Sequence, residues 1–212
     1  MNKPFVLFDF DGVIVDSFRI AFETRKLLCP DITENQCRRC FEGNVNDWES
    51  SFNIHTDACR HNAVEFDPLY KKRLKTEARI VPGIEAEITK LEKEYRLLVV
   101  SSSISSAIRE FLEEHGLANH FVDILGKEVH KSKVEKIKMI FQKYKTVADD
   151  CIFITDTLGD IREATHTGVD AIGVTWGFHS PETLRQGKPF RLVEHPEKLS
   201  SAVSDYFQEK LI

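Results

Sequence analysis

The sequence predicts an α/β protein: a doubly wound parallel sheet, interrupted after its first strand by a helical insertion. Three observations lead there. Short, continuous apolar runs, β-branched or aromatic and ending in small or acidic residues, recur at 5–8, 96–100, 151–154 and 171–174. Such runs mark strands buried on both faces. Between them, apolar residues recur at three- and four-residue spacing over 84–94, 104–115, 134–144 and 161–167, the signature of helices. Residues from about 17 to 79 break this alternation with amphipathic stretches rich in Arg, Glu and Asn and no convincing strand. Val81-Pro82-Gly83 then punctuates the return to the alternating pattern, because Pro and Gly make a turn before the next helix.

A chain of 212 residues can bury a substantial core, as one large domain or as a core carrying a smaller insertion. With 42% apolar and 30% charged residues it resembles an ordinary globular protein. A net charge of -5 offers no basic field for a nucleic-acid backbone. The N-terminal Met1-Asn2-Lys3-Pro4 leads into too few apolar residues for a signal-peptide core, and no stretch reaches membrane-spanning length. These features predict a cytoplasmic protein with no nucleic-acid or membrane partner, and they leave its oligomeric state open.

Cys29, Cys37, Cys40, Cys59 and Cys151 are an odd number in a chain without an export signal, which argues for reduced thiols. Cys37-Arg-Arg-Cys40 could be half of a zinc site, with Cys29 and Cys59 or His61 as distant partners. A lone C-x-x-C lacks its second pair, and two thiols on a helix face is the better reading.

In a doubly wound sheet the ligand sits beyond the carboxyl ends of the strands. Asp9 and Asp11 follow the first run, Ser101-Ser102-Ser103 the second, and Asp156 and Asp160 the third. Two aspartates one residue apart at a strand end repel unless a cation intervenes. Magnesium suits such a pair, taking one or two carboxylates together with waters and substrate phosphate. Gly12 would let the backbone turn sharply beneath the substrate. Taken alone, Asp9-Phe10-Asp11-Gly12 could equally be a polar turn. The downstream residues, in order and at strand ends, favour one shared pocket.

With those residues in view, the chain resembles the haloacid dehalogenase-like hydrolases, in the branch of phosphoglycolate phosphatases and β-phosphoglucomutases. Four motifs carry the resemblance: Asp9-Phe10-Asp11-Gly12-Val13-Ile14-Val15-Asp16-Ser17, close to D-x-D-G-V-x-x-D-S; Ser101 after the second strand; a lysine in His130-Lys131-Ser132-Lys133; and the acidic pair of Asp156-Thr157-Leu158-Gly159-Asp160. Thr155 stands where a glycine is common, and Ser102 where many relatives carry asparagine. The resemblance implies a Rossmann-like core of residues 1–16 and 80–212, and a helical cap of residues 17–79.

It further implies that Asp9 is the nucleophile, forming an aspartyl-phosphate, while Asp11 protonates the leaving oxygen and later deprotonates water. Magnesium would be held by a carboxylate oxygen of Asp9, the backbone carbonyl of Asp11, Asp156, and Asp160 directly or through water. Ser101, Ser102 and a lysine would bind phosphate. Lys131 is preferred over Lys133 on its distance from Asp156. Ser132 and Glu135 form a capping-box pattern that places Lys133 in the first helical turn and Lys131 just before it. Arg19 and Arg25 are candidate substrate contacts, although surface ion pairs suit them better, and Trp48 and Phe52 could line a pocket or pack in a core. The expected activity is magnesium-dependent hydrolysis of a small phosphorylated metabolite. The alternatives are a phosphomutase of the β-phosphoglucomutase type and a non-catalytic regulatory binding protein with the same fold.

Overall fold

The computed structural model describes residues 3–45 and 65–210. Along the chain the elements are β1 (Phe5–Phe8), β2 (Val15–Asp16), α1 (Phe18–Leu28), α2 (Glu34–Arg39), α3 (Phe66–Glu77), β3 (Arg79–Ile80), α4 (Ile84–Leu91), β4 (Arg96–Val100) and α5 (Ser105–Glu114). There follow β5 (Phe121–Leu125), α6 (Lys133–Tyr144), β6 (Cys151–Thr155), α7 (Leu158–His166), β7 (Asp170–Val174), α8 (Pro181–Arg185), β8 (Arg191–Val193) and α9 (Leu199–Glu209).

Six strands form one parallel sheet in the order β5-β4-β1-β6-β7-β8. Every residue of β1 is buried, as its uninterrupted apolar run requires. Alternate side chains serve opposite faces. Val6 and Phe8 join a core with Ile84, Ile108 and Val203, whereas Phe5 and Leu7 join another with Ile137, Ile140 and Ala164. Helices α4, α5 and α9 therefore cover one face, and α6 and α7 the other. Burying each such side chain contributes about 1.5–3 kcal/mol, which fixes β1 at the centre.

That register positions the site. Phe8 pairs with Val99 of β4 and with Ile154 of β6, so the residues after these strands emerge side by side. Asp9 follows β1, Ser101 follows β4 and Asp156 follows β6.

The edge strands β5 and β8 are additions to the four expected strands. β5 carries the half-buried Asp123 and exposed Val122, and β8 has only three residues. An edge strand need not be apolar throughout, so neither makes a continuous apolar run. A second sheet also went unanticipated. Two-residue strands β2 and β3 pair antiparallel, Val15 with Ile80 and Asp16 with Arg79, where the insertion leaves and rejoins the core. Two residues are too few for any periodicity to show.

Within the insertion α1 and α3 pack side by side, with Arg73 bridging to Glu23 at 2.6 Å and to Glu77 at 2.7 Å. Thr33 and Gln36 form a capping box at the start of α2. Trp48, Phe52, Cys59 and His61 lie outside the described residues.

Cys37, Cys40 and Cys151 are free and buried. Burial pushes the thiols of Cys40 and Cys151 up to about 12, which leaves them unreactive at neutral pH. Cys37 packs with Phe22 and Ile32, and the Cys40 thiol donates to the Gln36 carbonyl at 3.1 Å. Cys29 is disulfide-bonded, which corrects the expectation of five reduced thiols. Among the described residues no helix is long and apolar enough to cross a membrane.

Candidate active site

A cavity beyond the carboxyl ends of β1, β4 and β6 is lined by Asp9, Asp11, Ser101, Ser102, Lys133, Thr157, Asp160 and Phe178, and by Phe41, Gly43 and Val45 of the insertion. It measures about 40 Å³, room for roughly three waters.

Asp9 is held at both oxygens. The backbone N–H of Phe10 donates to Oδ1 at 2.7 Å, and Lys133 Nζ lies 2.9 Å from Oδ2. The same ammonium reaches Asp160 Oδ2 at 2.7 Å, and the Thr155 hydroxyl donates to that oxygen at 2.8 Å. Burial raises the Asp9 carboxyl well above the usual carboxylate range despite the opposing pull of Lys133. Asp160 moves the other way: burial works against its charge, but Lys133 and the surrounding hydrogen bonds outweigh it and hold its carboxyl low. Burial also opposes the charge on Lys133, yet the two flanking carboxylates raise its ammonium above the ordinary lysine value.

The structure thus puts Lys133 in the cavity, 1% exposed, while Lys131 is exposed on the segment before α6. Of the two candidate lysines, Lys133 is therefore the one that lies at Asp9. Distance along the chain cannot resolve two residues, whereas the first turn of α6 points Lys133 at Asp9. The expected Ser132–Glu135 capping box does not form. Glu163 of α7 accepts from the Lys133 backbone N–H at 3.0 Å and from the Ser132 hydroxyl at 3.1 Å, and Glu135 pairs instead with Lys138 at 2.8 Å.

Asp11 accepts from three hydroxyls. Ser17 (2.8 Å) and Tyr70 donate to Oδ1, and Ser103 donates to Oδ2 at 2.6 Å. Ser17 occupies the N-cap position of α1 but makes no cap bond, its hydroxyl being committed to Asp11. Nor does any of the three serines after β4 cap α5. The Ser101 hydroxyl accepts from the Ser103 backbone at 3.0 Å.

Asp156 lies behind the cavity floor, fully buried, with its carboxyl pushed up to about 8, chiefly by burial and against the Phe178 N–H that donates to Oδ2 at 2.7 Å. Gly12, at φ +73°, presses against it: a Cβ there would come 1.9 Å from Oδ2. The position therefore demands glycine twice over, for its dihedral and for the approach.

Among the described residues no three carboxylate, imidazole or thiol groups converge as a finished metal cage. Magnesium does not require one, because it keeps waters and adds substrate phosphate. The test of fit is Asp156 Oδ1, which is buried without a hydrogen-bond partner. A buried carboxylate oxygen is rarely left so. Its position beside Asp9 and Asp160 suits a hard divalent cation.

Ser103 falls in the serine run that follows β4, but its bond to Asp11 carries no signal in the sequence. Three further residues at the site carry none either. Tyr70 is the first. His179 is the second: its Nδ1 accepts from the Leu158 N–H at 2.9 Å and its Nε2 donates to the Arg38 carbonyl at 2.8 Å, tying the start of α7 to the insertion. The third is Lys136, one turn beyond Lys133 and fully buried, donating to the Ser101 carbonyl. Arg19 points outward in an ion pair with Glu23 at 2.6 Å, and Arg25 lies over the rings of Phe41 and Phe66, so neither lines the cavity.

Burial first, and the neighbouring Lys133 second, bring the Lys136 ammonium down to about 8. Below that pH the folded and unfolded chains both carry the proton, and the full cost of burying it is present. Between about 8 and the unfolded lysine value near 10.4, the folded chain releases the proton first and stability rises with pH. The stability of Lys136→Met relative to wild type should therefore fall by about 2 kcal/mol between roughly pH 7 and pH 9.5, at 1.36 kcal/mol per pKa unit. Urea midpoints of both proteins at each pH measure this. A constant difference would contradict it.

The fold thus sets a cavity lined by carboxylates and one buried lysine beyond the carboxyl ends of its central strands. The chain belongs to the haloacid dehalogenase-like hydrolases, whose family model matches residues 6–174. Within that family it stands with the phosphatases. It is 26% identical over 203 residues to a phosphoglycolate phosphatase of Vibrio vulnificus, covering 87% of this chain and 89% of the relative. It is also 28% identical over 210 residues to a 5'-nucleotidase of Pseudomonas aeruginosa, covering 89% and 90%. A haloacid dehalogenase-like hydrolase structure from Streptococcus pneumoniae shares the fold, with a TM-score of 0.81 at 21% identity over 95% of this chain and 98% of that one.

Proposed function

We propose that this phosphatase hydrolyses a small phosphomonoester through an aspartyl-phosphate on Asp9, with Mg²⁺ bound. The observation that carries the reading is the shared position of Lys133, whose single ammonium bridges Asp9 and Asp160 at the cavity floor. A buried lysine there keeps one carboxylate oriented for attack and leaves a cation facing the incoming phosphate.

Asp9 Oδ2 attacks phosphorus, and Asp11 gives a proton to the leaving oxygen as the P–O bond breaks. In the second step Asp11 takes a proton from water, which attacks the phosphoryl-aspartate and frees Asp9. Ser101 donates to a phosphoryl oxygen, and Ser102 contributes its backbone N–H or its hydroxyl. Asp9, the Asp11 carbonyl, Asp156 and Asp160 would hold Mg²⁺, which when bound would offset the repulsion between phosphate and Asp9.

Residues 17–79 act as a cap. Phe41, Gly43 and Val45 border the cavity from the insertion, so movement of the insertion would control access to Asp9. Closure then excludes water from the first step.

The names of the relatives suggest the substrates to try first. Phosphate release should be followed with 2-phosphoglycolate, nucleoside 5'-monophosphates and glucose 1-phosphate, with Mg²⁺ and with chelator. Mg²⁺-dependent release from at least one small ester is expected. Isomerisation of glucose 1-phosphate without phosphate release would favour a mutase, and full activity in chelator would overturn the metal assignment.

A further inference from the structure

Asp11 draws its hydroxyl donors from three parts of the chain. Ser17 and Ser103 flank it from the ends of β2 and β4, whereas Tyr70 reaches it from α3, at the far end of the insertion. The Tyr70 ring is 6% exposed and stacks on Phe66 at 5.3 Å.

One face of α3 holds it against the core. Asp67, Lys71 and Lys75, spaced by four, meet Lys127 at 2.6 Å, Glu110 at 2.7 Å and Glu114 at 3.3 Å. All six side chains keep substantial solvent exposure, and such pairs contribute little individually. These pairs set the register of α3, while Leu74 and Tyr70 bury its inner face in the main apolar core.

A carboxylate has about four acceptor sites. Among the described residues, Ser17 and Tyr70 fill both sites on Oδ1, and Ser103 fills one on Oδ2. The remaining site on Oδ2 is where a proton for the leaving oxygen can sit. Without the phenol, a site on Oδ1 opens and the proton can occupy the wrong oxygen.

Resting on the phosphatase reading above, we propose that Tyr70 is a positioning residue for Asp11: seating α3 on the core brings the phenol to Oδ1 and confines the transferable proton to Oδ2. The reading predicts a loss that depends on how much the leaving group needs a proton.

The test is kcat/KM of Tyr70→Phe, which keeps the ring and its packing, on two substrates with Mg²⁺. One is the best alkyl phosphate from the substrate panel; the other is p-nitrophenyl phosphate, whose phenolate leaves without help. Expected is a loss of about 10-fold on the alkyl ester and under about 2-fold on the aryl ester. In an Asp11→Asn background the same substitution should cause no further loss. Lys71→Gln, which loosens α3 without touching the ring, should show the same selectivity at smaller size. Equal losses on both esters, no loss on the alkyl ester, or an undiminished loss in the Asp11→Asn background would overturn the proposal. Those results presuppose an active wild type, so they are distinct from failure of the phosphatase reading, in which wild type itself releases no phosphate.

Discussion

Lys133→Met should reduce kcat/KM by at least about 100-fold, as expected for loss of a preorganised charge facing a phosphoryl group, while Lys131→Met stays within about 2-fold of wild type. The contrast follows from position. Lys133 Nζ lies 2.9 Å from Asp9 and 2.7 Å from Asp160, whereas Lys131 is exposed outside the cavity lining. Stability should fall as well. Removing the cation leaves two carboxylates buried together, a change that typically costs about 3–5 kcal/mol, or roughly 10 °C in melting temperature for a chain of this size. Thermal melts without Mg²⁺ test the second effect and steady-state kinetics the first. If Lys131→Met were the more damaging substitution, the assignment of the lysine would be wrong.

Asp9→Asn is expected to lose at least about 10³-fold in kcat/KM, since an amide cannot form the acyl phosphate that the proposed mechanism needs. The same substitution should leave the protein at least as stable as wild type. A carboxyl whose folded-state pKa lies above its unfolded value costs stability as pH rises through the unfolded value, near 3.9. Asp9 is such a group, raised chiefly by burial, so near neutral pH an uncharged amide relieves that cost. Function and stability then move in opposite directions at one residue, as often happens at active sites. An Asp9→Asn protein that melts well below wild type would show that the carboxylate is structural.

The sequence made the floor of this site legible because each acidic residue follows a buried strand, and buried strands announce themselves as continuous apolar runs. Asp9, Asp11, Ser101 and Asp160 accordingly line one cavity, with Asp156 just behind it. Chain spacing favoured Lys131, yet Lys133 is the lysine in the cavity, because spacing is blind to which way the first turn of a helix points. The Ser132–Glu135 capping box failed for a different reason. Glu163 draws the Ser132 hydroxyl into donating to it, and His130 Nδ1 takes the Ser132 N–H that the box would have given to Glu135. Ser17 shows the same competition, giving up its capping role to bind Asp11. Tyr70 was out of reach of local reasoning, because only the packing of α3 against the core brings it to the acid. β5 and β8 escaped notice as edge strands, where half-exposed residues interrupt the apolar pattern.

The central claim is that Asp9 carries the phosphoryl group between the two steps. Mixing wild-type protein with Mg²⁺ and a turned-over phosphomonoester, quenching in acid within the first turnover, and mapping the modified peptide by mass spectrometry tests it directly. The phosphoryl group should be found on Asp9, in the peptide containing Phe8-Asp9-Phe10-Asp11, and should be absent from Asp9→Asn. Phosphoryl transfer to any other residue, or undiminished turnover by Asp9→Asn, would contradict the account.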